Sequence, residues 1–453
     1  MTLRKLKLLT RLSLICCSVI LIIIIINMTQ SLDDQYDIND EYIVTQYGPG
    51  EVTDSTSENK DMRQVPLLTQ IKTQRNNVVL GNKAKEQRDV NVDLMIDRLN
   101  KTEEFFTLSF WNTSFTELVR TLGSKAKKNA KTLFAFDNIK TKENLPAWKQ
   151  LHMNIRQFSL YDPDDPNLNI VLDELSKLPI KSMETSDDWK DGTQFKMVFH
   201  FENGATGLAK PMRYRREVET SENHYIFDDM ERHIAEIAAF QLDKLLGFQR
   251  VPPTIGRKVN ITSELKPISP KSLNKTIYYS PAGNICFYGK CRQFCNHAYA
   301  FCGHPDMIEV SIQSFLPSEK IARRKSWQQP WKRAYSLRRK AYWETNDDLC
   351  ISVRKRSPFN NGKILQDIID VHTFDFLTGN KDRHNIATFK QFGNYSFPIL
   401  YDNGRGFGRQ TYDALSILAP LRQCCLIRKS TLLKYIKLYL GDEKLSSLMR
   451  KAF

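Results

Sequence analysis

No G-x-x-x-x-G-K-[ST] sequence occurs in the 453 residues, which leaves a P-loop nucleotide enzyme without support. No internal repeat organises the chain. Acidic residues are in deficit: 51 Asp and Glu stand against 66 Lys and Arg, a formal charge of +15. That surplus attracts acidic partners but does not choose among nucleic acid, anionic lipid, sulfated glycan and acidic protein. With 41% hydrophobic residues, the chain is long and apolar enough for a large folded domain plus additional segments.

Long apolar runs are scarce as well. The clearest, Leu12 to Ile26, carries no charge and follows Arg4, Lys5, Lys7 and Arg11. It fits a signal peptide or signal anchor over residues 1–28 with its basic flank in the cytosol. The run falls short of a full span of roughly 20 residues, and no small-x-small cleavage site stands near Asn27, so the cleaved and anchored forms both remain open. Either form places the rest of the chain in the secretory lumen, with membrane contact only through this segment. Residues 29–98 are polar, poor in aromatics and acidic around Asp33, Asp34, Asp37, Asp40 and Glu41, as expected of a flexible stem.

Sequons at Asn100, Asn112, Asn260, Asn274 and Asn394 agree with a lumenal chain. Of nine cysteines, Cys16 and Cys17 lie in the apolar run; the other seven are Cys286, Cys291, Cys295, Cys302, Cys350, Cys424 and Cys425. Their clustering reads as a disulfide framework, with a zinc site as the competing reading for the first four. Because their number is odd, one thiol lacks a partner within the chain.

Residues 99–180 mix helical patterns with the turn-rich Tyr161-Asp-Pro-Asp-Asp-Pro166 and form a helical preface. Phe195, Met197 and Phe199 alternate as in a strand, Gly204 marks a turn, and a second strand carries Lys210 and ends at Pro211. A helix is expected from about Asp229 to Leu246, capped by Asp228 and stopped by Gly247. This is the order of a kinase small lobe, placed at residues 181–257, with a large lobe at 258–453. The basic, aromatic stretch from Arg323 to Lys340 would set Trp327, Trp331 and Tyr335 on one helix face, although Pro330 disturbs a helix there. Basic and aromatic residues together suit single-stranded nucleic acid, but the lumenal context excludes that partner and leaves a solvated basic face or a docking surface for acidic substrates. A helix from Ile364 to Leu377, closed by Gly379, leads into the polar loop Asn380-Lys-Asp-Arg-His384-Asn385. The strand-like Phe397-Pro-Ile-Leu-Tyr401 then delivers Asp402.

Phosphoryl transfer needs a lysine on the phosphates, acids for metal ions, a carboxylate for the acceptor hydroxyl and a turn over the nucleotide. Lys210 suits the first role, Asp382 the catalytic base and Asp402 the metal ligand, while Gly192-Thr193-Gln194 is the candidate covering turn. Glu231 and Glu236 lie on the helix after Lys210, about 140° apart, so both are not expected to face the cleft equally, and position alone does not say which one does.

Several stretches resemble the secretory-pathway kinases typified by the Golgi casein kinase. They are Asp229-Met-Glu-Arg-His-Ile-Ala-Glu-Ile-Ala-Ala-Phe240, Asn284-Ile-Cys-Phe-Tyr-Gly-Lys-Cys291, Gly379-Asn-Lys-Asp-Arg-His384, Asp402-Asn-Gly-Arg-Gly-Phe-Gly408 and Ile417-Leu-Ala-Pro-Leu-Arg-Gln-Cys-Cys425. The resemblance runs from about Ile180 to the end of the chain. It implies an α+β, atypical two-lobed protein-kinase-like fold with a disulfide-stapled insertion, an extracellular serine/threonine protein kinase using ATP with Mn2+ or Mg2+, and residence in the Golgi lumen as a type II membrane protein or in secreted form. It further implies ATP-binding roles for Gln194, Lys210 and Asp402, metal binding by Glu231 and Asp402, and catalysis by Asp382. A pseudokinase relative carries glutamine in place of Glu231. The implied pairs are Cys286–Cys302, Cys291–Cys295 and Cys350–Cys424, leaving Cys425 unpaired. Acceptor serines in Ser-x-Glu contexts of acidic secreted proteins are implied, with a pseudokinase relative or a second copy as partner. The sister family of glycosaminoglycan xylosylkinases offers an alternative, as does a catalytically weak scaffold, since the usual partner of Cys425 is expected in a C-terminal helical region not found before Phe453. Asn385-Ile386-Ala387 also departs from the bulkier or acidic residues of relatives.

Overall fold

The computed structural model describes Leu133, residues 145–185, 193–220 and 231–453, the last apart from 337, 361, 441 and 442. The N-terminal apolar run, the stem, Asn100, Asn112, Gly192, Asp228 and Asp229 lie outside these residues. No helix among those described is long and apolar enough to cross a membrane.

Two helices precede the first sheet, α1 (Ala147–Met153) and α2 (Pro166–Lys177). The Asp165 carboxylate caps α2 by accepting from Asn167 N–H, and Pro166 occupies the first turn, where its missing N–H costs nothing. Leu168, Val171 and Leu175 recur at helical spacing and are its buried face.

The small-lobe sheet contains β1 (Ile180–Thr185), β2 (Met197–Phe201), β3 (Thr206–Pro211), β4 (Thr254–Asn260) and β8 (Met307–Ser314), in the order β1-β2-β3-β8-β4. Every neighbouring pair is antiparallel. Gly204, at φ 78°, makes the turn between β2 and β3, a conformation that glycine adopts at no steric cost. Lys210 stands opposite Ser311 on β8, near the end of β3. Against this sheet packs α3 (His233–Leu246), which ends at Gly247 in the left-handed conformation, as its sequence predicts.

Two boundaries differ from expectation. The α3 helix begins at His233, after an extended Arg232, so Glu231 precedes the helix instead of belonging to it. The sheet also passes the expected lobe boundary near residue 257, because β8 inserts between β3 and β4. Pairing between strands about 100 residues apart leaves no mark in local composition.

The insertion between β4 and β8 carries the small sheet β5 (Tyr278–Tyr279), β6 (Ile285–Phe287) and β7 (Phe301–Cys302). Disulfides join Cys286 to Cys302, directly opposed on β6 and β7, and Cys291 to Cys295. The zinc reading of these four is thereby excluded. Its aromatic centre packs Phe195 against Phe287 and Phe301.

The basic, aromatic stretch is not a helix. Arg324–Gln328 forms β9 and pairs antiparallel with β10 (Asn385–Phe389), so Trp327, Trp331 and Tyr335 do not share a helical face. Pro330 and the pairing with β10 outweigh the fourfold spacing. The large lobe is organised on α4 (Gly362–Thr378), whose Ile364, Leu365, Ile368, Val371 and Phe374 are buried. Gly379, at φ 68°, ends it. The expected strand before Asp402 is an extended segment with a single bridge, Ile399 to Ala387. A third disulfide, Cys350–Cys424, ties the short helix Leu349–Val353 to α5 (Ala419–Cys424). Cys425 is a free thiol.

Candidate active site

Lys210 reaches from the end of β3 into a cluster of three carboxylates. Its Nζ lies 2.6 Å from Glu236, 2.7 Å from Glu231 and 2.8 Å from Asp402. Glu236 points from the first turn of α3, whereas Glu231 arrives on the extended chain before it; the 140° separation that one helix would impose does not apply. Both acids therefore reach the same ammonium. Gly404 makes the approach possible, since a Cβ there would stand 2.8 Å from Glu231 Cβ.

Burial by itself would lower the Lys210 pKa, but Asp402, Glu231 and Glu236 outweigh it and hold the ammonium well above its ordinary range. Lys210 in turn holds Asp402 well below the usual carboxylate range. Glu231 moves the other way, because burial outweighs its pairing with Lys210. The Asp402 side chain is 62% exposed, against 3% for Glu236, so Asp402 presents the cluster to the cleft. Its φ of 66° is left-handed, a region that aspartate tolerates better than most residues. The following Asn403 N–H donates to both Glu236 oxygens at 3.0 and 3.1 Å, fixing the Asp402 loop to α3.

The carboxylate oxygens of Glu231, Glu236 and Asp402 lie within 4.8 Å of one another. Three oxygen-donor acids facing a single ammonium suit a hard divalent cation. All three pair with Lys210, and Glu236 also accepts from the Asn403 backbone; any of them could hold such an ion, Asp402 being the most exposed. Gln194 Oε1 accepts from Glu231 N–H at 3.1 Å, while its buried Nε2 has no partner among the described residues. An amide donor left over beside these acids fits a phosphate oxygen.

Asp382 stands in the loop after α4, its N–H donating to Asn380 Oδ1. Its Oδ1 accepts from Tyr335 O–H at 2.9 Å and lies 3.0 Å from His384 Nδ1, and its Oδ2 lies 3.0 Å from Arg405 Nε. The hydrogen bond to Asp382 raises the His384 pKa despite burial. Arg383 braces the loop from behind: it grips Asp375, donates to Tyr401 C=O and reaches Asn403 Oδ1 at 2.6 Å. One buried guanidinium thus ties the Asp382 loop to the Asp402 loop.

Sequence reading brought Gln194, Lys210, Glu231, Asp382 and Asp402 forward, with Glu236 as the acid whose position could not be told from that of Glu231; Arg383, Asn403, Arg405 and Tyr335 join them only in the fold. Arg383, Asn403 and Arg405 lie inside the quoted motifs, which was the available signal for them. Tyr335 carried none, being 47 residues from Asp382. Among the sequons, Asn274 and Asn394 are exposed. The Asn260 amide is engaged, accepting from Thr262 and Ser263 N–H and donating to Asp306.

A small antiparallel sheet carrying a lysine, an acidic helix and a large lobe presenting two loop aspartates define a two-lobed, protein-kinase-like protein. The chain belongs to the family described as Golgi casein kinase, C-terminal, Fam20, whose model matches residues 146–453. It is 45% identical over 313 residues to the Extracellular serine/threonine protein CG31145 of Drosophila melanogaster, covering 69% of this chain and 59% of that one. It is also 45% identical over 311 residues to the human Extracellular serine/threonine protein kinase FAM20C, covering 68% and 53%. The matched region thus spans little more than half the length of these relatives. A crystal structure of the Golgi casein kinase with Mn/ADP bound is similar at a TM-score of 0.63 and 35% identity, covering 75% of this chain and 85% of that one.

Proposed function

We propose that this chain transfers the γ-phosphoryl group of ATP to serine hydroxyls in acidic, Ser-x-Glu-type contexts of secreted proteins, inside the Golgi lumen or after secretion. The observation that carries this reading is the convergence of Glu231, Glu236 and Asp402 on Lys210, tied through Asn403 and Arg383 to the loop bearing Asp382. Lys210 and Gln194 bind phosphate oxygens, and Glu231 and Asp402 hold Mn2+ or Mg2+. The ion, when bound, neutralises charge on the phosphates.

Asp382 accepts the proton of the serine hydroxyl as its oxygen bonds to the γ-phosphorus and ADP leaves. Arg405 and His384 hold the carboxylate in place for that step. The basic surplus of the chain favours acidic acceptors, and a pseudokinase relative or a second copy is the partner this reading allows. Residence in the lumen follows the three disulfides.

The test is transfer from γ-labelled ATP, with Mn2+, to an acidic serine peptide and a xylose-containing linker glycan offered together. Label in the peptide, lost in Asp402→Ala, is expected. Label in the sugar alone makes the chain a xylose kinase, and no label together with no thermal shift on adding nucleotide makes it a scaffold.

A further inference from the structure

Strand β9 has β10 on one side and, among the described residues, no strand paired to the other. In an antiparallel pair, successive residues turn their N–H and C=O alternately toward the partner and away from it. Arg323 C=O accepts from Lys390 N–H, and Gln329 N–H donates to His384 C=O at 3.1 Å, so the odd-numbered residues of this stretch face β10. Arg324, Ser326 and Gln328 therefore turn their backbone groups outward, where these meet no hydrogen-bond partner among the described residues. Ser326 and Gln328 are exposed. The far side of β10 is closed instead: Ile399 N–H donates to Ala387 C=O, and Phe389 N–H to the Ser396 hydroxyl.

An open edge accepts another extended chain, which completes the unmade bonds. Charge decides which chain. Between Lys320 and Trp343 the sequence holds nine lysines and arginines and no aspartate or glutamate. Arg323 and Lys325 are exposed, Lys325 standing 5.6 Å over the Trp327 ring, and neither pairs with a carboxylate among the described residues. A second copy of this edge would bring like charges together, which disfavours pairing of the edge with itself. A chain with acidic side chains meets the opposite condition.

We propose that the outer edge of β9 is a docking site for an extended, acidic segment of the acceptor polypeptide, added as a further strand outside the cleft. The docking site rests on the kinase reading only in naming the docked chain the acceptor. Its position supports that name: β10 begins at Asn385, opposite Gln328 and three residues after Asp382, and Gln329 Nε2 donates to Arg383 C=O in the same loop. A strand beside β9 would lie roughly 10 Å from β10, and three residues of extended chain span about 10 Å. A linker on the order of five residues thus separates the docked segment from the reacting serine. Main-chain bonds supply affinity, and the basic side chains select acidic partners.

Fluorescence anisotropy without nucleotide or metal tests the edge apart from catalysis. The probe is a labelled peptide that alternates glutamate with valine and lacks serine, set against the same sequence N-methylated along its backbone, which keeps the charge and removes the donors. The full chain is expected to bind the unmethylated peptide at least about tenfold more tightly. Ser326→Pro removes one outward N–H and leaves the ladder to β10 intact; it should weaken binding about three- to tenfold, as should Lys325→Glu, with transfer to a short serine peptide unchanged. Should Ser326→Pro fail to fold, the methylated peptide and Lys325→Glu still decide. Equal binding of the two peptides makes the surface a general polyanion face, which heparin would fill as well, and overturns strand addition; a preference untouched by either variant places the strand elsewhere and overturns the site. Joined through about five residues to a serine peptide, the segment should lower the acceptor KM about tenfold in the unaltered chain but not in Ser326→Pro, and an unchanged KM overturns the acceptor as occupant. A preference lost in both variants supports the docking edge even if no transfer occurs, in which case only the kinase reading falls.

Discussion

Two charge clusters in this protein use the same kinds of side chain to opposite ends. At the cleft, three carboxylates face Lys210, and the most exposed of them, Asp402, opens on solvent. Inside the large lobe, Lys363, Arg250 and Arg428 surround Asp367 and Asp370, which are 0% and 1% exposed. There the charges nearly balance. Lys363 also donates to Ser396 C=O, and Thr431 O–H to Asp370. Burial lowers the Lys363 pKa to about 8, and burial would raise Asp367 but its three cations hold it well below the ordinary range. The second cluster ties α4 to Arg250, after α3, and to Arg428, after α5. A cluster whose charges close on themselves fixes the fold, whereas one left short of cations beside an open cleft is a place for a ligand.

Breaking each cluster at one aspartate separates these roles. Asp402→Ala should reduce phosphoryl transfer by at least about a thousandfold without lowering the melting temperature, and should remove the thermal shift produced by Mn2+, which scanning calorimetry would read. A variant that instead loses stability would place the cleft cluster among the structural ones. Asp367→Ala should do the reverse, costing about 3–5 kcal/mol in denaturant unfolding because two buried cations and the half-buried Arg428 lose a shared partner; an unchanged midpoint would sink the contrast.

Replacing Cys350 and Cys424 with serine opens a loop of 74 residues and should cost about 4 kcal/mol. Transfer measured well below the new midpoint should survive, since neither residue touches the site. The smallest effect is expected at Tyr335, whose hydroxyl sits on the Asp382 oxygen that an incoming hydroxyl must approach. Tyr335→Phe should lower the acceptor KM by about two- to tenfold, the worth of one hydrogen bond, with the ATP KM unchanged. A raised acceptor KM would mean that Tyr335 orients Asp382 instead of competing with the acceptor.

Much of the architecture was legible from local pattern. Alternation marked the strand before Gly204, Gly247 and Gly379 marked the ends of α3 and α4, and the resemblance implied each of the three disulfides that the fold contains. Misreadings arose where contacts are distant. Trp327, Trp331 and Tyr335 have helical spacing, yet β10 recruits the first as part of a strand. The angular separation of Glu231 and Glu236 assumed a helix that starts only at His233.

The sequence by itself determined which residue types could do chemistry here and on which local elements they sit, because turn glycines, apolar periodicity and motif spacing act over a few residues. Tertiary structure alone decided that Lys210 meets three acids, that Tyr335 meets Asp382, and that Arg405 and Thr220 keep donors without acceptors among the described residues. Those outcomes depend on segments up to nearly two hundred residues apart being packed to within a hydrogen bond's length. Ion pairs and hydrogen bonds at that range are set by the packing of whole lobes, which no local pattern encodes.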